Sequence, residues 1–322
     1  MKKSLAWLAI LMAVVASGTS ANAAYPDKPI HIVVPYTPGG TVDLLARAMA
    51  PILNKAWGQQ VVVENRPGAG GSVGAEYVAE QPGDGYTLLL STNSPLTTNV
   101  ALFKSIKYDP LRDFVPVILA GQNSLALAVN VKLPVKSTSD LIALAKTQPG
   151  KLIGASSGNG STSHLSLTEF NKMAGVGITH VPYPGGVPSL TAVISGEAQL
   201  VFSDIVPALP MIKDGRVRAL GTTGLARSGV TPDVPTLNES GLKGFDVTAW
   251  VGMVAPKGTP SDVADKLNAE INEILKEPEF RQHIVKIGID PIGGTREAFG
   301  KYLAAQIPVW RQRAIDAGLK VE

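Results

Sequence analysis

The chain has 322 residues, and its 29 Lys and Arg against 26 Asp and Glu give a formal net charge of only +3. This near-neutral balance gives no reason to expect a nucleic acid or an acidic membrane surface as a partner. The sequence contains no cysteine, which excludes both a disulfide framework and a thiolate metal site.

The first 23 residues have the composition of a secretory signal. Lys2 and Lys3 form a basic end, Leu5–Ala16 an apolar core, and Ala21-Asn22-Ala23 a cleavage site of small residues. The apolar core is shorter than the ~20 residues of a membrane-spanning helix, and no later run in the sequence approaches that length. We therefore expect export to the periplasm of a Gram-negative bacterium. Removal of the signal leaves residues 24–322 with a net charge of +1, because it holds two Lys and no acidic residue.

A strand–loop–helix corner dominates the first part of the sequence. Ile30–Val34 predicts a buried strand, an amphipathic helix pattern starts at Leu44, and two prolines and two glycines lie between them. The glycines bring bare N–H groups close to a ligand, and Thr41 or Asp43 can cap the helix. Unpaired donors and the helix dipole make such a corner an anion site, although an ordinary capped turn has the same pattern. The candidate binding residues here are Pro38, Gly39, Gly40 and Thr41.

A second glycine-rich turn follows the predicted strand Val61–Val63. Gly68 and Gly70 suggest a dinucleotide fingerprint, but Val73 occupies the position of the third glycine. No acidic residue closes a second strand about 20 residues further on, where the ribose contact belongs. A close approach of helix and sheet explains these glycines better, so we expect no nucleotide cofactor.

A third strand, Tyr86–Leu90, leads into a loop of hydroxyl and amide side chains, 91–95. Ligands of open parallel sheets bind beyond the carboxyl ends of the strands, so this loop is expected at the same edge as the first corner. Ser91 and Thr92 are its candidate binding residues. The alternation of strands and helices up to this point indicates an α/β fold with a parallel sheet.

The alternation of strands and helices breaks off near residue 114, which indicates a second domain. The apolar segments 114–120 and 125–131 have strand character without a helix between them, and a new strand–helix series then extends to Gly221. A further strand is predicted at 247–255, followed by three helices. Without the 23 residues of the predicted signal, 299 of the 322 residues remain, and this length suits two domains better than one.

A short motif near residue 156 allows two interpretations. Gly154-Ala155-Ser156-Ser157-Gly158 matches the nucleophile elbow Gly-x-Ser-x-Gly, and Asp204 and His283 follow in the order that α/β-hydrolases use. A secreted serine hydrolase that uses Ser156 is therefore the alternative function. Against it, the chain continues as a long flexible loop instead of turning at once into a helix. The same segment can form a second anion cradle, with candidate binding residues Ser157, Gly158, Ser161 and Thr162.

A third corner repeats the chemistry of the first in the second domain. Tyr183-Pro184-Gly185-Gly186 lies between a predicted strand and a predicted helix. Two such corners facing each other would aim helix N-termini at one carboxylate, or at the two ends of a dicarboxylate, without an arginine. Asp204 ends a later strand, where it can receive an amino or hydroxyl group of a ligand or cap the next segment. Tyr183, Gly185 and Asp204 complete the candidate site.

The four histidines do not form a metal motif. No pair among His31, His164, His180 and His283 has the i, i+4 spacing with an acidic residue between. We interpret each as structural, with His164 also able to face the cradle. Neither a metal nor a cofactor is expected.

Long motifs spread over the chain from residue 35 onward carry a resemblance. They are Pro35–Gly40 with Asp43, Val63–Gly71, Asp84–Leu89, Gly158–Ser161, His180–Tyr183, Asp233–Leu237 and Trp250–Pro260. In these motifs the sequence is similar to the Bug receptors, the extracytoplasmic solute-binding proteins of tripartite tricarboxylate transporters. Two small departures are Val251, where an aromatic residue often follows the Trp, and Pro184, where a polar or basic residue is common.

The resemblance implies a two-domain periplasmic-binding-protein fold of the type II-like kind. Each domain is then a mainly parallel sheet flanked by helices, with a ligand cleft between the domains. The chain would cross twice, giving a first domain of 24–122 and 248–322 and a second domain of 123–247. The resemblance also implies that Gly39–Thr41 and the Ser157–Thr162 region hold a ligand carboxylate.

The function that follows is a periplasmic receptor without catalytic activity. It would capture a small carboxylated metabolite by domain closure and deliver it to two integral membrane subunits, working as a monomer. The competing classes are the serine hydrolase described above and an exported interaction protein with an empty cleft.

Overall fold

The structure, a computed structural model, describes residues 25–319 and contains two β-sheets with helices on their faces. The predicted signal, 1–23, lies outside the described residues. The strands are β1 (Ile30–Val34), β2 (Val61–Asn65), β3 (Thr87–Thr92), β4 (Phe114–Asn123), β5 (Leu125–Asn130), β6 (Ile153–Ser156), β7 (Thr179–Pro182), β8 (Leu200–Asp204), β9 (Val217–Thr222), β10 (Ala249–Pro256) and β11 (Asp290–Pro291).

The helices follow the predicted alternation with two additions. A short helix after residue 98 and a helix after Asp204 were not predicted from the sequence. The helices are α1 (Thr41–Trp57), α2 (Ser72–Ala79), α3 (Asn99–Leu102), α4 (Thr138–Thr147), α5 (Thr162–Ala174), α6 (Gly186–Ser195), α7 (Ile205–Lys213), α8 (Ser261–Lys276), α9 (Pro278–Lys286) and α10 (Arg296–Asp316). Within 25–319, no helix has the length and apolar character needed to cross a membrane.

The two sheets have related topologies. The first has the order β11-β4-β10-β3-β1-β2, and the second has the order β7-β6-β8-β5-β9. In the first, β1 to β4 run in one direction while β10 and β11 run against them. In the second, β6 to β9 run in one direction and β5 alone runs against them. The predicted α/β class with mainly parallel sheets is confirmed.

The chain passes between the sheets at two neighbouring points. Only Ser124 separates β4 of the first sheet from β5 of the second, and the chain returns through Thr248 into β10. Both residues are buried. A Cβ atom built on Gly224 would lie 2.7 Å from Ser124 Oγ and 3.7 Å from Thr248 Oγ1, so the two crossings lie side by side. The predicted boundaries at 122/123 and 247/248 fall within two residues of these crossings.

The first lobe, which we define as the first sheet with α1–α3, α8, α9 and the first half of α10, has a core on each sheet face. Strand alternation turns Ile30 and Ile32 to one face and Val33 to the other. Helix α1 covers the first face because its apolar residues recur at positions 45, 49 and 53, one side of a helix. The other face holds Trp250, which meets the Phe299 ring edge-on at 5.8 Å.

The second lobe, the second sheet with α4–α7, is joined to the first by the C-terminal helix as well. Phe299 of α10 is buried in the first lobe, whereas Trp310 is fully buried among side chains of the second. Lys172 Nζ contacts Asp316 at 2.7 Å, and Arg313 donates to the backbone oxygen of Asp246. The second half of α10, which was predicted with the first domain, therefore packs on the second lobe.

Candidate functional site

A central cavity of about 270 Å³ lies between the lobes at the carboxyl ends of the strands. Both lobes line it, as expected for ligand sites of α/β sheets. The predicted site residues that line it are Gly40, Thr41, Thr92, Ser157, Ser161, Thr162 and Asp204. A larger side cavity of about 770 Å³ adjoins it, because Tyr36, Ser94, Ser157 and Ser161 line both.

The first corner presents free backbone donors to the central cavity. Gly40 is the N-cap residue of α1, and its lack of a side chain leaves the helix without a side-chain cap. Thr41 and Val42, whose first-turn N–H groups have no intrahelical partner, both line the cavity. An uncapped helix N-terminus attracts negative charge through its dipole.

The neighbouring Gly39 does not offer the donor that the sequence suggested. Its N–H donates to Asp43 Oδ2 at 2.8 Å, and Gly39 is outside the cavity lining, as is Pro38. Asp43 also accepts from Arg47 Nε at 3.0 Å and from Asn65 Nδ2 at 2.9 Å. Burial acts to raise the pKa of Asp43, but these hydrogen bonds hold it below its usual value. The Asp43 carboxylate thus fixes the loop, and the Gly39 N–H group is already engaged by it.

The end of β3 contributes a hydroxyl pair. Tyr36 Oη lies 2.5 Å from Thr92 Oγ1 and 3.4 Å from Ser91 Oγ, and burial raises the pKa of Tyr36. Ser91 is part of the strand and is fully buried, so the expectation that it belongs to a binding loop is corrected. Ser91 contacts the Tyr36 hydroxyl from within the strand, while Thr92 and Ser94 line the cavity.

The predicted cradle in the second lobe is a tightly bonded loop at the start of α5. Ser161 Oγ donates to Gly158 O at 2.7 Å and accepts the His164 N–H at 3.2 Å, so it caps the helix. Gly158, with φ of +124°, closes this turn and does not line the central cavity. Within 25–319, the hydroxyls of Ser157 and Thr162 make no hydrogen bond. Both residues line the central cavity.

At the third corner, residues 183–186, the residue that lines the central cavity is not one of the predicted Tyr183 and Gly185. Gly185 is the N-cap of α6 without a side-chain cap, and its own N–H donates to Tyr183 O at 2.8 Å. Burial, followed by the nearby Glu197, raises the pKa of Tyr183. Neither Tyr183 nor Gly185 lines the central cavity; Gly186, the first residue of α6, does.

Asp204 is the acidic member of the central cavity. It ends β8 and precedes α7, and Asn123 Nδ2 donates to its Oδ1 at 3.3 Å. Its side chain is exposed within the cavity, and desolvation by the protein around the cavity raises the pKa of the carboxyl despite the Asn123 bond. Among the described residues, the charged side chains that line the two cavities are Asp204 and Glu76.

The hydrolase arrangement does not form. Ser156 is fully buried, and its Oγ lies 2.6 Å from His180 Nε2. Across 25–319 it has no hydrogen bond to Asp204 or to His283, and His283 is exposed on α9 of the first lobe. The motif lacks the exposed serine that a nucleophile elbow needs.

Two histidines support the cradle from behind. The rings of His164 and His180 stack at 3.7 Å, and Gly160 N–H donates to His164 Nδ1 at 3.2 Å. Burial, followed by His180, lowers the pKa of His164 to about 4, and burial lowers that of His180. His164 therefore contacts the cradle as a neutral ring. Within the described part of the chain, no group of His, Asp and Glu is arranged to hold a metal ion.

Several lining residues were missed from the sequence. Tyr36 and Ser94 lie close to predicted positions at the ends of strands. The rule that ligands bind at strand ends could therefore have placed them in the predicted site. Asn123 and Val251 come from β4 and β10, whose antiparallel pairing brings distant segments to the cavity. No local pattern indicates that position.

Comparisons with known proteins agree with this architecture. The model of the family described as "Tripartite tricarboxylate transporter family receptor" matches residues 45–317. The protein BugT of Bordetella pertussis is 36% identical over alignments covering 100% of this chain and 99% of BugT.

Solved structures show the same fold. An R. palustris protein in a structure with adipate has a TM-score of 0.81 and 35% identity, over 92% of this chain and 99% of that chain. MatC from Rhodopseudomonas palustris, with bound malate, has a TM-score of 0.75 and 32% identity, over 90% of this chain and 100% of that chain. The predicted fold class and the resemblance to Bug receptors are confirmed. The chain belongs to the tripartite tricarboxylate transporter family of receptors.

Proposed function

We propose that the protein is a periplasmic receptor that binds a small carboxylate in the central cavity. The observation that carries this proposal is the convergence of helix N-termini from both lobes on one cavity. Gly40 and Gly185 leave α1 and α6 without side-chain caps, so first-turn N–H groups remain available. Helix N-termini bind carboxylates and other anions through these donors and the helix dipole. The adipate and malate in the structures of relatives support the same ligand class.

In the proposed complex, the ligand carboxylate accepts from N–H groups of Thr41 and Val42 in the first lobe. Ser157 and Thr162 add hydroxyl donors from the second lobe, and Gly186 adds a backbone donor. Ordered water can bridge the remaining distances without a large loss of affinity. No arginine is required because charge-assisted bonds to backbone N–H groups are strong.

Binding is proposed to close the two lobes about their crossings. Ser124 and Thr248 lie side by side between the sheets, which suits a hinge, because few residues need to change conformation there. We assign 24–122 and 248–322 to one domain and 123–247 to the other, with the end of α10 reaching across.

The remaining parts of the proposal follow from membership of the family. Residues 1–23 direct export to the periplasm, the protein acts as a monomer without catalytic activity, and two integral membrane subunits take up the released ligand. The buried position of Ser156 agrees with a binding protein rather than a hydrolase.

A thermal-shift screen tests the ligand class. The protein is unfolded and refolded to remove retained ligand, then heated with carboxylates, their matched amides and sugars. A ligand at 100 times its Kd adds about 2.7 kcal/mol to the free energy of unfolding. We expect a class of carboxylates to raise the melting temperature more than sugars or fully amidated analogues. Equal shifts from sugars, or none from any carboxylate, would contradict the proposal.

A further inference from the structure

The central cavity contains hydrogen-bond acceptors as well as donors. Asp204 and Asn123 both line it, and they lie on β8 of the second lobe and β4 of the first. A carboxylate ligand satisfies the donors of the helix N-termini, but it cannot satisfy acceptors. The part of the ligand that meets Asp204 must have a different chemistry.

Asn123 holds the Asp204 carboxylate from the first lobe. Its side chain is more than nine-tenths buried, its Nδ2 donates to Asp204 Oδ1 at 3.3 Å, and its Oδ1 has no partner among the described residues. Turning the amide over would set its oxygen against the Asp204 carboxylate, which is electrostatically unfavourable. In this orientation Nδ2 holds the Asp204 carboxylate, while Oδ1 is enclosed by protein and has no accessible surface.

Asp204 is not used to cap the helix that follows it. It occupies the N-cap position of α7, yet its side chain accepts no hydrogen bond from that helix. In residues 25–319, its only hydrogen-bond donor is Asn123. A carboxylate oxygen accepts more than one hydrogen bond, so the group keeps unused acceptor capacity toward the cavity.

We infer that the ligand carries an N–H donor, in an amino or primary amide group, in addition to its carboxylate. Asp204 is the acceptor for this group, Asn123 holds the Asp204 carboxylate in place, and the helix N-termini hold the ligand carboxylate. This inference rests on the proposed carboxylate receptor function and narrows its substrate class to amino acids and amide-carboxylates.

The charges around the cavities disfavour a second ligand carboxylate. Neither cavity has a Lys or Arg in its lining within the described part of the chain. Glu76 in the side cavity is acidic as well, and its Oε1 lies 3.2 Å from Lys107 Nζ, a residue outside the lining. A second carboxylate held in the central cavity would therefore meet like charge at Asp204, which is a common way to reject a competing ligand. A protonated Asp204 would instead donate to it, and the experiment separates the two cases.

The test uses three ligands that differ in one terminal group. Adipate, its monoamide and 6-aminohexanoate have similar chain length, and the corresponding four-carbon series covers a shorter spacing. Isothermal titration at neutral pH measures the Kd of each for the unaltered protein, for Asp204→Asn and for Glu76→Gln. Asparagine has nearly the shape of aspartate and keeps an acceptor oxygen, so Asp204→Asn is expected to fold, and its melting temperature checks this. Glu76→Gln is the matched control, because it removes an acidic charge from the side cavity alone.

We expect the unaltered protein to bind the monoamide or the amino acid at least tenfold more tightly than the dicarboxylate. Asp204→Asn should reduce this ratio at least tenfold, and Glu76→Gln should leave it unchanged. A protein that prefers the dicarboxylate, or whose preference is the same in Asp204→Asn, overturns the inference while the receptor function stands. If no carboxylate of either series, nor any in the wider screen, binds, the proposed function fails and the inference with it.

Discussion

Replacing Thr41 by proline removes one backbone donor from the central cavity while helix α1 stays in place. Thr41 is the first residue of α1, where the N–H group has no intrahelical partner and proline is well tolerated. The residue before a proline must be extended, and Gly40 already has φ of −75° and ψ of 165°. The substitution therefore isolates the ligand-binding donor from the stability of the helix.

The size of the effect follows from the charge of the acceptor. A hydrogen bond to a charged group contributes about 1.5–3 kcal/mol, and each 1.4 kcal/mol corresponds to about tenfold in Kd. Thr41→Pro should therefore weaken carboxylate binding by roughly 10- to 100-fold. The free energy of unfolding without ligand should change by less than ~1 kcal/mol, because no folded-state hydrogen bond is lost.

Isothermal titration of Thr41→Pro and Thr41→Ala with the best carboxylate measures the loss. Thr41→Ala is the matched control, since it removes the hydroxyl and keeps the N–H group. Binding that falls with proline and much less with alanine supports the backbone donor. Equal affinities for Thr41→Pro and the unaltered protein, with both folded, would refute the assignment of the α1 N-terminus to the ligand carboxylate.

Three further predictions concern stability. The pKa of His164 is about 4 in the folded state and about 6.5 in an unfolded chain, so the unfolded state binds the extra proton between these values. The free energy of unfolding should fall by about 3 kcal/mol from pH 6.5 to 4 through this group, as measured by urea denaturation. Trp310→Ala should cost about 3–5 kcal/mol, since the ring is fully buried where α10 meets the second lobe. Gly252→Ala should cost about 1–3 kcal/mol, because its Cβ would lie 2.3 Å from Phe299 Cζ.

Each of these predictions has a control. His164→Asn keeps an acceptor for the Gly160 N–H and does not titrate, so its pH dependence should be shallower than that of the unaltered protein. An unchanged slope would contradict the role of His164. Val309→Ala, at an exposed neighbour of Trp310, should cost little. A small effect of Trp310→Ala would mean that α10 does not hold the second lobe, and a neutral Gly252→Ala would mean that Phe299 moves freely.

Much of the fold follows from local patterns. The alternation of apolar residues in Ile30–Val34 and the helical spacing in α1 are periodicities that any short window reveals. Helix α7 was missed because Pro207 and Pro210 normally argue against a helix. Pro207 lies in the first turn, where the missing N–H has no cost, and Pro210 removes only one bond of a short helix.

The candidate site was predictable in location and less so in detail. Gly39 and Gly40 look alike in the sequence, yet only Gly40 lies at the cavity. The difference depends on Asp43, whose position in α1 is fixed by a hydrogen bond from Asn65 at the end of β2. Asn123 reaches the cavity through the pairing of β4 with β10, about 130 residues apart in the chain. Contacts of this kind depend on tertiary structure and leave no local signature.

The central claim is that a carboxylate binds between helix N-termini of the two lobes. The most direct test is a crystal structure of the protein with the carboxylate that gives the largest thermal shift. We predict ligand carboxylate oxygens at about 2.7–3.2 Å from the backbone nitrogen of Thr41 or Val42, directly or through one ordered water. A ligand held only in the side cavity, or with its carboxylate away from every helix N-terminus, would contradict the account.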